Sequence, residues 1–145
     1  MEPMKQHPAE WFFLNNFDID RVFSGIQRAD YLVLFYIRMQ QEAHPDSRLY
    51  LADLAAAMGV RVSELSKGIE KLQDSGYVSW KTDREAGRTY VELTSKAVEL
   101  MAEERRFMKR CYDRLRAELG DEELRRTVNT MQHLTTILKE EREQG

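Results

Sequence analysis

Nine polar side chains between residues 61 and 88 have the types and spacing to grip a polyanion. They are Arg61, Ser63, Glu64, Ser66, Lys67 and Lys71, followed by Lys81, Arg84 and Arg88. Lys67 and Lys71 are four residues apart, so a helix would present them one turn apart on one face. Basic side chains neutralise phosphate, and serine hydroxyls bond to phosphate oxygens or base edges. Glu64 can accept a hydrogen bond from the exocyclic amine of cytosine, or serve only the dipole of the helix it begins. Gly68 stands among them although an interior glycine costs about 1 kcal/mol relative to alanine. Its missing side chain leaves room for a close neighbour, either another helix or a duplex.

These residues need elements to present them. Leu65, Ile69 and Leu72, at spacings of four and three, predict a helix over residues 62–75 with Gly76 as its C-terminal cap. Before it, Leu51, Leu54, Ala55 and Met58 mark a short helix closed by Gly59 in a left-handed conformation. The turn between the two is brief, which makes a helix-turn-helix. "YVSWK" and "RTYVELT" alternate as two strands, joined by the charged loop "TDREAG", so a hairpin wing carries Lys81, Arg84 and Arg88. A helix about as wide as the major groove can reach base edges there, and a hairpin beside it can grip the flanking backbone or the minor groove.

The flanking segments read as helical. Residues 8–17, "PAEWFFLNNF", form a short aromatic helix, and Ser24 with Gln27 fits a capping box for a helix from about Ser24 to Ala43. The apolar residues of that helix nearly encircle it, which predicts a central position. Thr94 caps a long helix over 95–118, with Val98, Met101, Phe107, Met108, Cys111, Tyr112, Leu115 and Leu119 as its stripe. Gly120 ends it, and Asp121 caps a last helix that uses Leu124, Val128, Met131, Leu134 and Leu138. The expected fold is mainly α with a small β-hairpin wing: N-terminal helices over 1–47, a winged helix-turn-helix lobe over 48–94 and C-terminal helices over 95–145, in one compact domain.

Composition limits the function. The 145 residues are 42% hydrophobic and 32% charged, with 3 prolines and 7 glycines, which suits a helical core. The longest apolar run, Tyr31 to Ile37, is far short of the ~20 residues that span a membrane. One cysteine, Cys111, excludes an internal disulfide and suits a reducing compartment, so a cytoplasmic protein without membrane partners is expected. The net charge of −3 arises entirely in residues 1–47, with 4 basic and 7 acidic side chains. Residues 48–94 carry 7 of each and residues 95–145 carry 11 of each. A nucleic-acid role therefore rests on where the cations sit.

"SGIQ", "LADLAAAMGV" before "RVSELSKGIEKLQDSGYV", and "VELTSKAVEL" together resemble the MarR family of winged-helix transcription regulators, over roughly four-fifths of the chain. The resemblance implies a homodimer held by the N- and C-terminal helices, binding a palindromic double-stranded DNA operator, with repression as the expected mode. It also implies release by a small aromatic or lipophilic effector, or by oxidation, in many members. The chain departs from the family in its wing, where Asp83-Arg84 and a separate Arg88 replace an Asp-x-Arg signature. Arg61 and Glu64 stand where small hydroxyl residues are common, and Ala97 replaces a frequent glycine.

Trp11, Phe13, Tyr31, Phe35 and Tyr36 are core or interface aromatics first, and candidate effector-lining residues second. Cys111 lies on an apolar stripe and is expected to be buried and inert. His7, His44 and His133 show no metal-ligand spacing, so no metal and no cofactor is expected. No nucleotide loop or nucleophile motif is present, and the paired carboxylates of "DEEL" and "KEERE" read as solvated helix faces, so an enzyme is not expected. The competing reading is a dimeric winged-helix scaffold for protein partners, supported by the neutral 48–94 segment and by Glu64 and Glu70.

Overall fold

The computed structural model describes residues 10, 13, 14 and 26–144. The chain forms two compact units, divided after Arg105. In the first, Glu10, Phe13 and Leu14 are helical and buried; the rest of the expected aromatic helix, Trp11 included, lies outside the described residues.

Helix α1, Arg28–Ala43, is the centre of this unit. Tyr31, Leu34, Phe35 and Ile37 are all 0% exposed, which bears out its nearly encircling apolar pattern. Its start differs from expectation. Gln27 is the N-cap, with extended backbone (ψ 152°) and no side-chain cap bond. Gln27 therefore precedes the helix instead of closing a box inside it, and Ser24 lies outside the described residues. The helix ends at His44, where Pro45 disfavours continuation.

Two residues, Leu49–Tyr50, form β1; α2 follows at Leu51–Met58 and α3 at Val62–Asp74. Strands β2 (Val78–Asp83) and β3 (Arg88–Leu93) make the wing. The sheet has three antiparallel strands in the order β1-β3-β2, not the two of the sequence reading. Leu49 pairs with Val91 and Tyr50 with Tyr90, while Trp80 pairs with Val91 on the other side. β1 thus ties the wing to the segment that opens α2.

Local chemistry sets the junctions. Gly59 (φ +70°) ends α2, and the Val60 N–H reaches the Ala55 carbonyl at 3.1 Å. Gly76 (φ +84°) ends α3: its N–H bonds Gln73 O at 2.9 Å, and the Tyr77 N–H bonds Leu72 O at 2.9 Å. That pair of bonds is a Schellman motif, and it turns the chain from α3 directly into the wing.

Helix α4, Ser95–Leu119, starts as expected, with the Ala97 N–H donating to Thr94 Oγ1 at 3.3 Å. The second unit holds the remainder of α4 and α5, Asp121–Gln144, joined at Gly120 (φ +85°). Asp121 does not cap α5. It is the first helical residue, the Leu124 N–H bonds Gly120 O, and the Asp121 carboxylate takes Arg116 Nε at 2.6 Å. Cys111 is only partly buried, contrary to expectation. Leu134, Ile137 and Leu138 on α5 are 55%, 45% and 70% exposed, so this unit leaves apolar surface uncovered. Among the described residues, no helix is long and apolar enough to cross a membrane.

Candidate nucleic-acid interface

Leu65, Ile69 and Leu72 are buried, which fixes the rotation of α3 about its axis. The opposite face exposes Arg61, Ser63, Glu64, Lys67, Glu70 and Lys71 to solvent. Ser66 is half-buried and donates its hydroxyl hydrogen to Val62 O at 2.9 Å, leaving lone pairs as its outward chemistry. Around Gly68, a Cβ would meet no described atom within 4 Å. No described helix of the chain therefore needs that glycine.

Of the seven cations in residues 48–94, five are paired inside the chain. Arg61 lies 3.7 Å from Glu64, Lys71 3.0 Å from Asp30, Lys81 3.4 Å from Glu92, Arg88 3.4 Å from Asp53 and Arg48 3.0 Å from Asp83. Lys71 also donates to Gln27 Oε1 at 3.3 Å, so it ties α3 to the start of α1. Lys67 on α3 and Arg84 at the wing tip make no ion pair among the described residues, and both are exposed. The sequence grouped nine side chains; the structure sets these two apart as the cations of the lobe without an ion pair among the described residues.

A network that sequence reasoning did not find braces the wing. Asp83, the last residue of β2, accepts from the Tyr50 hydroxyl at 2.8 Å and from the Ala86 N–H at 3.1 Å, and pairs with Arg48. The Ala86 bond, then Tyr50 and Arg48, hold the Asp83 carboxyl below the usual carboxylate range. Its hydrogen bond to Asp83, with some burial, raises the Tyr50 hydroxyl. Arg88 lies over the Tyr50 ring at 4.0 Å and Arg48 over Tyr90 at 4.5 Å, both within cation–π range. Two cations thus bracket the β1–β3 pairing. The two-residue β1 carries too few residues to show alternation, so only the Arg-x-Tyr spacing of Arg48 and Tyr50 hinted at it.

The head of α4 holds the other end of α3. Lys96 Nζ donates to Ser75 O at 2.6 Å and Thr94 Oγ1 donates to Gly76 O at 2.6 Å. These side chains meet carbonyls that the helix itself leaves unsatisfied.

Of the candidate effector-lining aromatics, Tyr31 and Phe35 are fully buried, Phe13 is buried and Tyr36 is half-buried. The Tyr31 hydroxyl donates to Glu10 at 2.6 Å, and Arg38 Nη2 bonds the other Glu10 oxygen at 2.6 Å. Burial, then the Glu10 charge, pushes the Tyr31 hydroxyl far above its usual range. Beside α1 lies an open cavity of about 390 Å³, lined by Pro45, Leu93, Val98 and Met101 with Arg38 and Arg105. None of the four described aromatics, Phe13, Tyr31, Phe35 and Tyr36, lines it. Among the described residues, no His, Cys, Asp and Glu side chains cluster to hold a metal.

No protein-family model matches the chain, and no curated protein is detectably similar to it in sequence. Solved structures do match its fold. MepR, a transcription regulator of the Staphylococcus aureus multidrug efflux pump MepA, aligns with a TM-score of 0.63 at 16% identity, covering 95% of this chain and 98% of its own. MepR in complex with DNA aligns at 0.55 and 16% identity, over 92% and 88% of the two chains. MarR aligns at 0.60 and 18% identity, over 96% and 99%. The heme sensor PefR from Streptococcus agalactiae, in complex with heme, aligns at 0.60 and 16% identity, over 90% and 78%. The fold is the winged helix-turn-helix fold of MarR-type regulators, mainly helical with a three-stranded sheet.

Proposed function

We propose that this protein is a sequence-specific DNA-binding transcription regulator that acts as a homodimer on a palindromic operator and has no enzymatic activity. One observation carries the reading. A helix seated by Leu65, Ile69 and Leu72 turns an uncovered face to solvent with the unpaired Lys67 upon it, and the adjoining wing ends in the unpaired Arg84. On this reading α3 enters the major groove, where Ser63, Glu64 and Lys67 meet base edges, while the wing follows the backbone. The existence of a MepR–DNA complex on the same fold supports it. Two copies in successive grooves need a dimer, and the exposed Leu134, Ile137 and Leu138 offer apolar surface for one. The PefR–heme complex supports effector control in general terms, through different affinity for two states.

The internal pairing of five of seven lobe cations favours the competing reading, a winged-helix scaffold for protein partners. Binding of the protein to DNA upstream of its own coding sequence, against scrambled DNA, at two salt concentrations decides between them. Selective binding that weakens steeply with salt is expected. Lys67→Ala removes one contact per protomer, so the log–log salt slope of the dimer should fall by about two. Absence of selectivity at both salts would favour the scaffold.

A further inference from the structure

We infer that Asp53 is a specificity-determining residue: it serves as the internal counter-ion of Arg88 and withholds that arginine from DNA that is not seated in register. The inference rests on the DNA-binding reading above and deepens it. Its basis is the geometry where β3 leaves the wing-tip turn. Arg88 opens β3 beside the wing-tip turn, directly opposite Asp83 in the strand register. Its Cζ lies 4.0 Å from the Tyr50 ring centroid, and its Nη2 lies 3.4 Å from Asp53 Oδ2 on the first turn of α2. Tyr50 is itself fixed by its hydrogen bond to Asp83. Arg88 is therefore held at a defined place, neutralised, with 43% of its side chain still open to solvent.

A phosphate must replace the Asp53 carboxylate to gain the full attraction of such an arginine. A duplex whose backbone passes Arg88 at hydrogen-bonding distance can make that exchange, and the new pair compensates the lost one. A duplex bound loosely, through Lys67 and Arg84 alone, meets a neutral pair at Arg88 and gains little from it. Counter-ion release follows the same division, because a cation already neutralised by the protein displaces no ions from loosely bound DNA. Asp53 thus lowers the affinity of random sequence more than that of the operator.

The experiment is a double-mutant cycle on the intact protein, with Asp53→Asn, Arg88→Met and the double variant, measured on its own upstream DNA and on scrambled DNA of equal length across a salt series. Asp53→Asn should raise affinity for scrambled DNA roughly 3–10-fold, the range expected for freeing one exposed ion pair per protomer. Its effect on upstream DNA should be smaller, and its salt slope on scrambled DNA steeper by about two. In the Arg88→Met background the same substitution should leave affinity unchanged. An equal gain with and without Arg88 would show direct repulsion between Asp53 and phosphate, and would overturn the inference. No gain in either background would overturn it too, while selective binding by the unmodified protein would leave the functional reading standing. Failure of the unmodified protein to bind DNA selectively would remove both.

Discussion

Lys96 Nζ lies 2.6 Å from the main-chain oxygen of Ser75 and 4.6 Å from the centroid of the Tyr77 ring. One ammonium group from the head of α4 thus closes the C-terminal end of α3 and packs on the first residue beyond its glycine cap. Thr94 reinforces the closure, since its hydroxyl bonds Gly76 O while accepting the Ala97 N–H. Lys96→Met should keep the packing on Tyr77 and lose the bond, at a cost of about 1 kcal/mol in urea titration. If α3 reads DNA, discrimination between upstream and scrambled DNA should fall as well, and Lys96→Arg should restore part of it.

Gly68→Ala should stabilise the protein. The position is helical, a Cβ there meets no described atom within 4 Å, and alanine is preferred over glycine inside a helix by about 1 kcal/mol. Thermal unfolding should show a raised midpoint. DNA affinity measured on the same variant then locates the neighbour: a loss despite higher stability means that the duplex comes within a methyl group of the α3 backbone.

The wing should be acid-sensitive through Asp83. The folded-state carboxyl titrates below its ordinary value, because Ala86, Tyr50 and Arg48 bond its ionised form. Its contribution is therefore complete above about pH 4, the unfolded value, and is lost as pH falls through the depressed folded value. Urea titrations from pH 7 to pH 2 should find Asp83→Asn less stable than the parent at pH 7, with the difference shrinking towards pH 2. A constant difference would assign the loss to something other than ionisation.

Arg38→Met should be the most damaging of these substitutions. Glu10 is 1% exposed, and Arg38 supplies one of its bonds at 2.6 Å. Removing one partner of a buried pair takes most of the compensation from the other charge, which costs up to about 3–5 kcal/mol. Adding Glu10→Gln to Arg38→Met should recover part of that loss in denaturant titration. Additive losses would show that the two side chains act separately.

Much of the lobe was legible in the sequence because its signals are local. The leucine and isoleucine spacing set the face of α3, and Gly59 and Gly76 marked the ends of α2 and α3 through the left-handed conformation both adopt. What escaped depends on partners far along the chain. Arg88 meets Asp53 across 35 residues and Lys71 meets Gln27 across 44, so no window along the sequence shows that these cations are already held. The misread caps have a different origin, a shift of the helix start by one to three residues. Gln27 stands before its helix and Asp121 already inside its own, and their side chains bond Lys71 and Arg116. β1 escaped because pairing with β3, not its two residues, makes it a strand. Lys67 and Arg84 were recognised as cations, but their standing as the unpaired ones required the other five to be placed.

The side chains that seat α3 and those it exposes are disjoint sets. Leu65, Ile69 and Leu72 make its core contacts, whereas positions 61, 63, 64, 67 and 70 point to solvent. Replacing one of the latter creates no cavity and strands no buried polar group, so most such changes alter stability by less than ~0.5 kcal/mol. The exposed face can consequently drift by nearly neutral steps while selection on folding acts on three residues of the other face. Chains built this way can change the face they expose long before they change shape.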